Sequence, residues 1–189
     1  MQNPDGGFPA FDKNKMENNY VMKMAMDIAG ISNSAEIFDP SSPDVTTHIL
    51  EGFGALGVTA GDRLVKGAIN YLKSTQNLQG AWQARWGVNY IYSMGCVIPG
   101  LARVGYNLSE PWIGDSVAWL LSKQNTDGGF GETVLSYRQP AKYMGVGKST
   151  VSQTAWGLLA LLEVSGLYEV DEAIEAAVNY LLAEFVAQG

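Results

Sequence analysis

His48 is the only histidine in the 189-residue chain, and Asp44 stands four positions before it. On a helix starting near Pro43 that spacing puts carboxylate and imidazole on one face, where the acid can hold the ring protonated or oriented. Proton transfer is therefore the chemistry within reach. One cysteine and one histidine make a poor zinc site, and Cys96, in MGCVIPG, lacks the local Gln of a thioester motif and has no partner for an internal disulfide. We expect no metal and no organic cofactor. Twelve basic against 19 acidic residues give a net charge of −7, without the clustered Lys and Arg of a phosphate-tracking groove, so nucleic acid is not an expected partner.

These side chains must be positioned by a scaffold, and the sequence writes that scaffold as a repeat. QNPDGGFPA at 2–10, QNLQGAWQA at 76–84 and QNTDGGFGE at 124–132 share a Gln-x3-Gly-x-aromatic phrase: Gln2/Gly6/Phe8, Gln76/Gly80/Trp82 and Gln124/Gly128/Phe130. The glutamine is expected to bond backbone groups at a helix end while the aromatic ring stacks nearby, a stabilising role. Helical periodicity fills the intervals in pairs: DVTTHILEGFGALG with RLVKGAINYLKSTQ, NYIYSMGCVIPGLARVG with WIGDSVAWLLSKQ, and STVSQTAWGLLALLEVSG with DEAIEAAVNYLLAEF. Ser42-Pro43-Asp44 supplies a cap residue, a first-turn proline and an acid, and Thr150 with Gln153 has capping-box spacing.

Strand-like alternation is scarce, so the fold class is all-α: an α/α barrel of helical hairpins, present in part. Small residues in GFGALG, SMGCVIPGLA and TAWGLLALL let inner helices approach closely. At 47% hydrophobic and 16% charged, residues 1–189 read as one globular domain, with no signal peptide and no bilayer-spanning run. Because Gln2 has no helix before it and a fourth phrase starts at Tyr180–Leu181, the chain is expected to be a piece of something longer, cut at both ends.

With SPDVTTH (42–48), ARWGVNYIY (84–92) and GKSTVSQTAWGLLALL (147–162), the repeated phrases resemble the squalene–hopene cyclase family of class II triterpene cyclases over essentially the whole chain. The resemblance implies an α/α barrel joined to a second barrel. It also implies an isomerase that cyclises a linear polyprene such as squalene by protonation. The residues matching Asp44 and His48 sit behind the catalytic aspartic acid of that family and strengthen it as a proton donor. Tyr92 matches a tyrosine near that acid and its reloading water. Phe11 falls where a cavity tyrosine is common, and Trp86 matches another residue of the active-site region. Such chemistry needs a dry cavity lined with aromatic faces, which attract a cation without bonding to it.

Two departures bear on activity. No Asp-x-Asp-Asp run, the family's proton donor, occurs among these residues. It is expected upstream of them, with a second set of cavity aromatics downstream, so the isolated chain is expected to be inactive without the remainder of the cyclase. GISNSAEIFDP (30–40) does not carry the Phe/Cys-rich constriction of hopene-forming relatives, which leaves a sesquarterpene or other polyprenoid cyclase open as an alternative. A helical-repeat scaffold that binds a protein partner is the non-enzymatic alternative. NYVMKMAMDIAG (19–30) gathers Met22, Met24 and Met26, flexible apolar side chains suited either to a membrane surface or to a buried helix. The resemblance implies a cytoplasmic, peripheral membrane enzyme. Three hairpins close only an arc, so an apolar groove holding His48, Tyr92 and Phe11 is expected to lie open and to promote self-association.

Overall fold

The computed structural model describes residues 1–11 and 39–188, and among these described residues six long helices alternate between two layers. They are α1 (Pro43–Ala55), α2 (Arg63–Thr75), α3 (Tyr90–Arg103), α4 (Pro111–Leu121), α6 (Val151–Val164) and α7 (Asp171–Gln188). A 3-10 turn at Val134–Tyr137 and a one-turn α5 at Pro140–Tyr143 fill the connection before α6. Helix α3 packs against α1 on one side and α6 on the other, while α2, α4 and α7 lie behind their partners as an outer layer. Each outer helix follows its inner partner in sequence, so the chain is a row of αα-hairpins. Among the described residues there is no strand, only an isolated bridge between Ser165 and Tyr168.

Helix α3 is the centre of the row, and its glycines explain how. A β-carbon added at Gly95 would lie 2.6 Å from the Trp156 carbonyl oxygen of α6, and one at Gly100 would lie 2.9 Å from the Thr47 carbonyl oxygen of α1. One glycine thus serves each neighbour, and Ser93 to Leu101 are buried without a break. Between the layers, Trp82, Ile91, Met94, Ile98, Leu101, Leu120 and Leu161 are fully buried.

The helix starts depart from expectation in two places. Ser42 is the N-cap of α1, but its side chain makes no capping bond; only its carbonyl engages, accepting Thr46 N–H at 2.9 Å. Thr150 Oγ1 accepts Gln153 N–H at 3.3 Å, but the capping box is half made. The Gln153 side chain turns away to accept the Glu132 N–H and to donate to Val88 O at 3.0 Å, a tertiary partner outcompeting a local one.

The phrase turns tie successive hairpins together. Gln2 Nε2 donates to Gly6 O and Leu64 O, both at 2.7 Å. Gln76 Nε2 donates to Gly80 O at 3.1 Å and Trp112 O at 2.8 Å, and Gln124 Nε2 to Gly128 O at 2.9 Å and Ala173 O at 2.8 Å. The acceptor is in every case a carbonyl in the first turn of the next outer helix, using its second lone pair. The glycines stand at φ +90°, +90° and +83°, a region closed to most side chains. The aromatic position does separate work: Trp82 Nε1 donates to Leu72 O at 2.8 Å, a second bond to a carbonyl that also accepts the Gln76 N–H at the end of α2, and its ring meets Trp112 edge-on at 5.9 Å. Phe8 and Phe130 N–H donate to Thr46 and Thr154 Oγ1 at 2.9 Å, which locks the turns onto α1 and α6.

No helix among the described residues is long and apolar enough to cross a membrane. The methionine segment 19–30, with Met22, Met24 and Met26, lies outside the described residues.

Candidate active site

Asp44 and His48 share a face of α1, but they do not act on each other as the sequence suggests. Asp44 is fully buried, and its Oδ2 accepts the backbone N–H groups of Arg85 at 3.2 Å and Trp86 at 2.8 Å. Its Oδ1 is buried without a hydrogen bond. The acid therefore anchors the 84–89 loop rather than the imidazole. The reason is positional: this loop arrives from forty residues further on and presents the N–H groups of Arg85 and Trp86 to Asp44, and a buried carboxylate accepts them strongly.

His48 sits one turn later, at the half-exposed edge of the layer. Its Nδ1 is 3.0 Å from Glu51 Oε2. Its Nε2 is 3.5 Å from the Tyr92 hydroxyl and 3.8 Å from Cys96 Sγ, both on α3. Burial, with the neighbouring Cys96 and Asp44, pushes the Tyr92 phenol well above its ordinary range. Burial likewise pushes the Cys96 thiol up to about 12, the charges of Asp44 and Glu51 adding to it. At neutral pH both keep their protons, so Cys96 is no nucleophile. Tyr92 is a hydroxyl that can donate a hydrogen bond to a bare Nε2 or accept one from an imidazolium Nε2–H.

The aromatic candidates form two edge-on pairs, Phe11 with Trp86 and Tyr92 with Trp156. The Phe11 and Trp86 rings meet edge-on at 5.6 Å, and the Arg85 guanidinium lies 5.5 Å from the Trp86 centroid. Gly87 lies against the Tyr92 ring, where a β-carbon would come within 2.5 Å of Cδ1. Tyr92 in turn meets Trp156 of α6 edge-on at 4.9 Å. Phe11 is 83% and Trp86 51% exposed, so neither is a core residue among the described ones. His48 thus reaches Tyr92, while Asp44 holds the loop that carries Trp86 and, through it, the Phe11 contact.

Several contributors escaped the sequence reading. Glu51 lies three residues after His48, a helical neighbour the spacing already offered. Glu132 is buried at the start of α3, where its Oε2 accepts the N–H groups of Ile91 at 3.0 Å and Asn89 at 3.3 Å and so caps the helix that bears Tyr92. Tyr137 donates its hydroxyl to Gly87 O at 2.7 Å from below the same loop. Glu132, Tyr137 and Trp156 act across more than forty residues of sequence, beyond any local signal. Among the described residues no group of three or more His, Cys, Asp and Glu side chains is placed to hold a metal ion.

The family model of the squalene-hopene cyclase C-terminal domain matches residues 1–189. The chain is 58% identical over 186 residues to the squalene-tetrahymanol cyclase of Tetrahymena thermophila, covering 98% of this chain and 28% of that one. It is 40% identical over 184 residues to the squalene–hopene cyclase of Alicyclobacillus acidocaldarius, covering 96% and 27%. Among solved structures, the type II terpene cyclase MstE from Scytonema, in complex with geranylgeranyl dihydroxybenzoate, superposes with a TM-score of 0.62 at 25% identity, over 95% of this chain and 44% of that one. The chain spans little more than a quarter of the length of the curated relatives it matches, 28% in the Tetrahymena case.

Proposed function

This chain belongs to the squalene–hopene cyclase family, and from that premise we propose that it forms part of the helical barrel of an enzyme that cyclises a linear polyprene such as squalene by proton initiation. The observation that carries the reading is the two edge-on aromatic pairs, Phe11 with Trp86 and Tyr92 with Trp156, with His48 beside Tyr92. Aromatic faces stabilise a migrating carbocation by their quadrupoles and offer it no lone pair to trap it. His48 and Tyr92 supply a proton path at the rim, with Asp44 holding the loop that presents Trp86. The acid that starts the reaction comes from outside these residues, since they contain no Asp-x-Asp-Asp run. The isolated chain is accordingly inactive. The substrate is a polyprene of the squalene class, collected in the cytoplasm from a membrane surface that residues 19–30 help to contact.

A chimera tests this reading. The chain replaces the matching 186-residue segment of the Tetrahymena relative, and the product is incubated with detergent-dispersed squalene. Polycyclic triterpene is expected from the chimera and none from the chain alone. A folded chimera without product sinks the cyclase assignment, and product from the chain alone above a no-protein control overturns its inactivity.

A further inference from the structure

We propose that Glu51 is the positioning residue of His48, fixing the neutral ring as its Nδ1–H tautomer so that Nε2 alone faces the site. Glu51 Oε2 lies 3.0 Å from Nδ1. An ionised carboxylate only accepts, so the short contact requires a proton on Nδ1, and the hydrogen bond at one ring nitrogen decides the state of the other. Asp44, the acid that the four-residue spacing offers for this task, is committed to Arg85 and Trp86. The Nε2 lone pair then points between the Tyr92 hydroxyl at 3.5 Å and the Cys96 thiol at 3.8 Å, two groups that retain their protons at neutral pH. When His48 is doubly protonated, Nε2–H is the one ring proton left to pass toward the cavity, because Nδ1–H is held. The ring is thereby aimed as well as charged. The place of Glu51 in catalysis rests on the cyclase reading above, whereas the tautomer does not.

Because His48 is the only histidine, its ring nitrogens can be followed in the whole chain without assignment by long-range 1H–15N NMR. At a pH where the ring is neutral, the wild-type spectrum is expected to show Nδ1 protonated and Nε2 bare. Glu51→Ala, on a half-exposed helical position that accepts alanine readily, moves the population toward the Nε2–H form that free side chains favour. Tyr92→Phe leaves Nδ1–H in place. A wild-type ring already in the Nε2–H form, or one unchanged by a folded Glu51→Ala, overturns the proposal; the wild-type spectrum decides even where the variant fails to fold. In the chimera, Glu51→Ala is expected to lower kcat roughly tenfold with KM unchanged, and a rise in KM alone overturns the positioning role. An inactive chimera whose tautomer still switches sinks the cyclase reading while leaving Glu51 with its ring.

Discussion

Asp44 Oδ2 accepts the backbone N–H of Trp86 at 2.8 Å, so a carboxylate wholly buried in α1 holds a loop whose indole is exposed. Asp44→Ala removes the carboxylate that accepts the N–H groups of Arg85 and Trp86, and hydrogen bonds to a charged acceptor are worth roughly 1.5–3 kcal/mol. Urea unfolding is expected to show a loss of about 3 kcal/mol, and about half that for Asp44→Asn, which keeps a neutral acceptor oxygen. An Asp44→Ala protein within 0.5 kcal/mol of wild type means that the loop is held by something else.

Alkaline pH should weaken the fold, and the sign follows from the buried acids. Cys96 rises from an ordinary 9.0 to about 12 in the folded chain, chiefly by burial. An unfolded thiol therefore loses its proton above pH 9 while the folded one keeps it. Stability is unaffected below that point and falls as pH climbs from 9 toward 12, at up to about 1.4 kcal/mol per pH unit for one group. Tyr137, raised from 10.0 to about 12 by burial, adds in the same direction above pH 10. Unfolding curves at pH 7, 9 and 10.5 are expected to show the decline, with Cys96→Ala giving a shallower slope. Iodoacetamide should leave the native thiol unmodified at pH 8. A flat profile up to pH 10.5 contradicts this account.

The helices were legible because their signals are local: the 3.6-residue period, Pro43 at a first-turn position, and the small residues around Gly95 and Gly100 marking close approach. Beyond Tyr92, Trp86 and Phe11, which the family resemblance supplied, the site was legible only by spacing along one helix. Asp44 and His48 are adjacent turns of α1, yet the loop around Trp86 covers the first and leaves the second open. No local pattern encodes that difference, since it depends on a segment forty residues away. Glu132 illustrates the same limit: it reads as a polar turn residue after Phe130, and becomes a helix cap only once α3 is packed beside it. The 3-10 turn and α5, four residues each, are too short to show a period at all.

The phrase turns predict a ranking. Gln76→Ala removes side-chain bonds to Gly80 O and Trp112 O, and with them about 1–2 kcal/mol. Gly80→Ala should cost more. Its φ of +90° penalises any β-carbon by roughly 1–2 kcal/mol. That β-carbon would also stand 2.6 Å from the Asp115 carbonyl oxygen, a backbone atom that cannot swing aside. Paired thermal and urea denaturation check the order, and a Gly80→Ala protein more stable than Gln76→Ala reverses it.

The last prediction concerns what the chain does in solution by itself. Leu56 at the C-terminal cap of α1 and Leu159 and Leu162 of α6 are exposed, at 81%, 46% and 51%, as are the Phe11 and Trp86 rings. Covering apolar area gains roughly 25 cal/mol per Å², so a shared patch of several hundred Å² supplies enough to drive association against its entropy cost. Opposing it is the charge of −7 on every copy. That repulsion acts between exposed groups and is screened beyond about 8 Å at physiological salt. Raising the salt should therefore promote assembly, which it would not do for a complex held by ion pairs. Light scattering is expected to show larger species as concentration and salt rise, and an apolar fluorescent probe should brighten in their presence. The double variant Leu159→Glu, Leu162→Lys should stay monomeric and leave the probe darker. A monodisperse wild-type monomer that leaves the probe dark at high salt means that these leucines form no adhesive face.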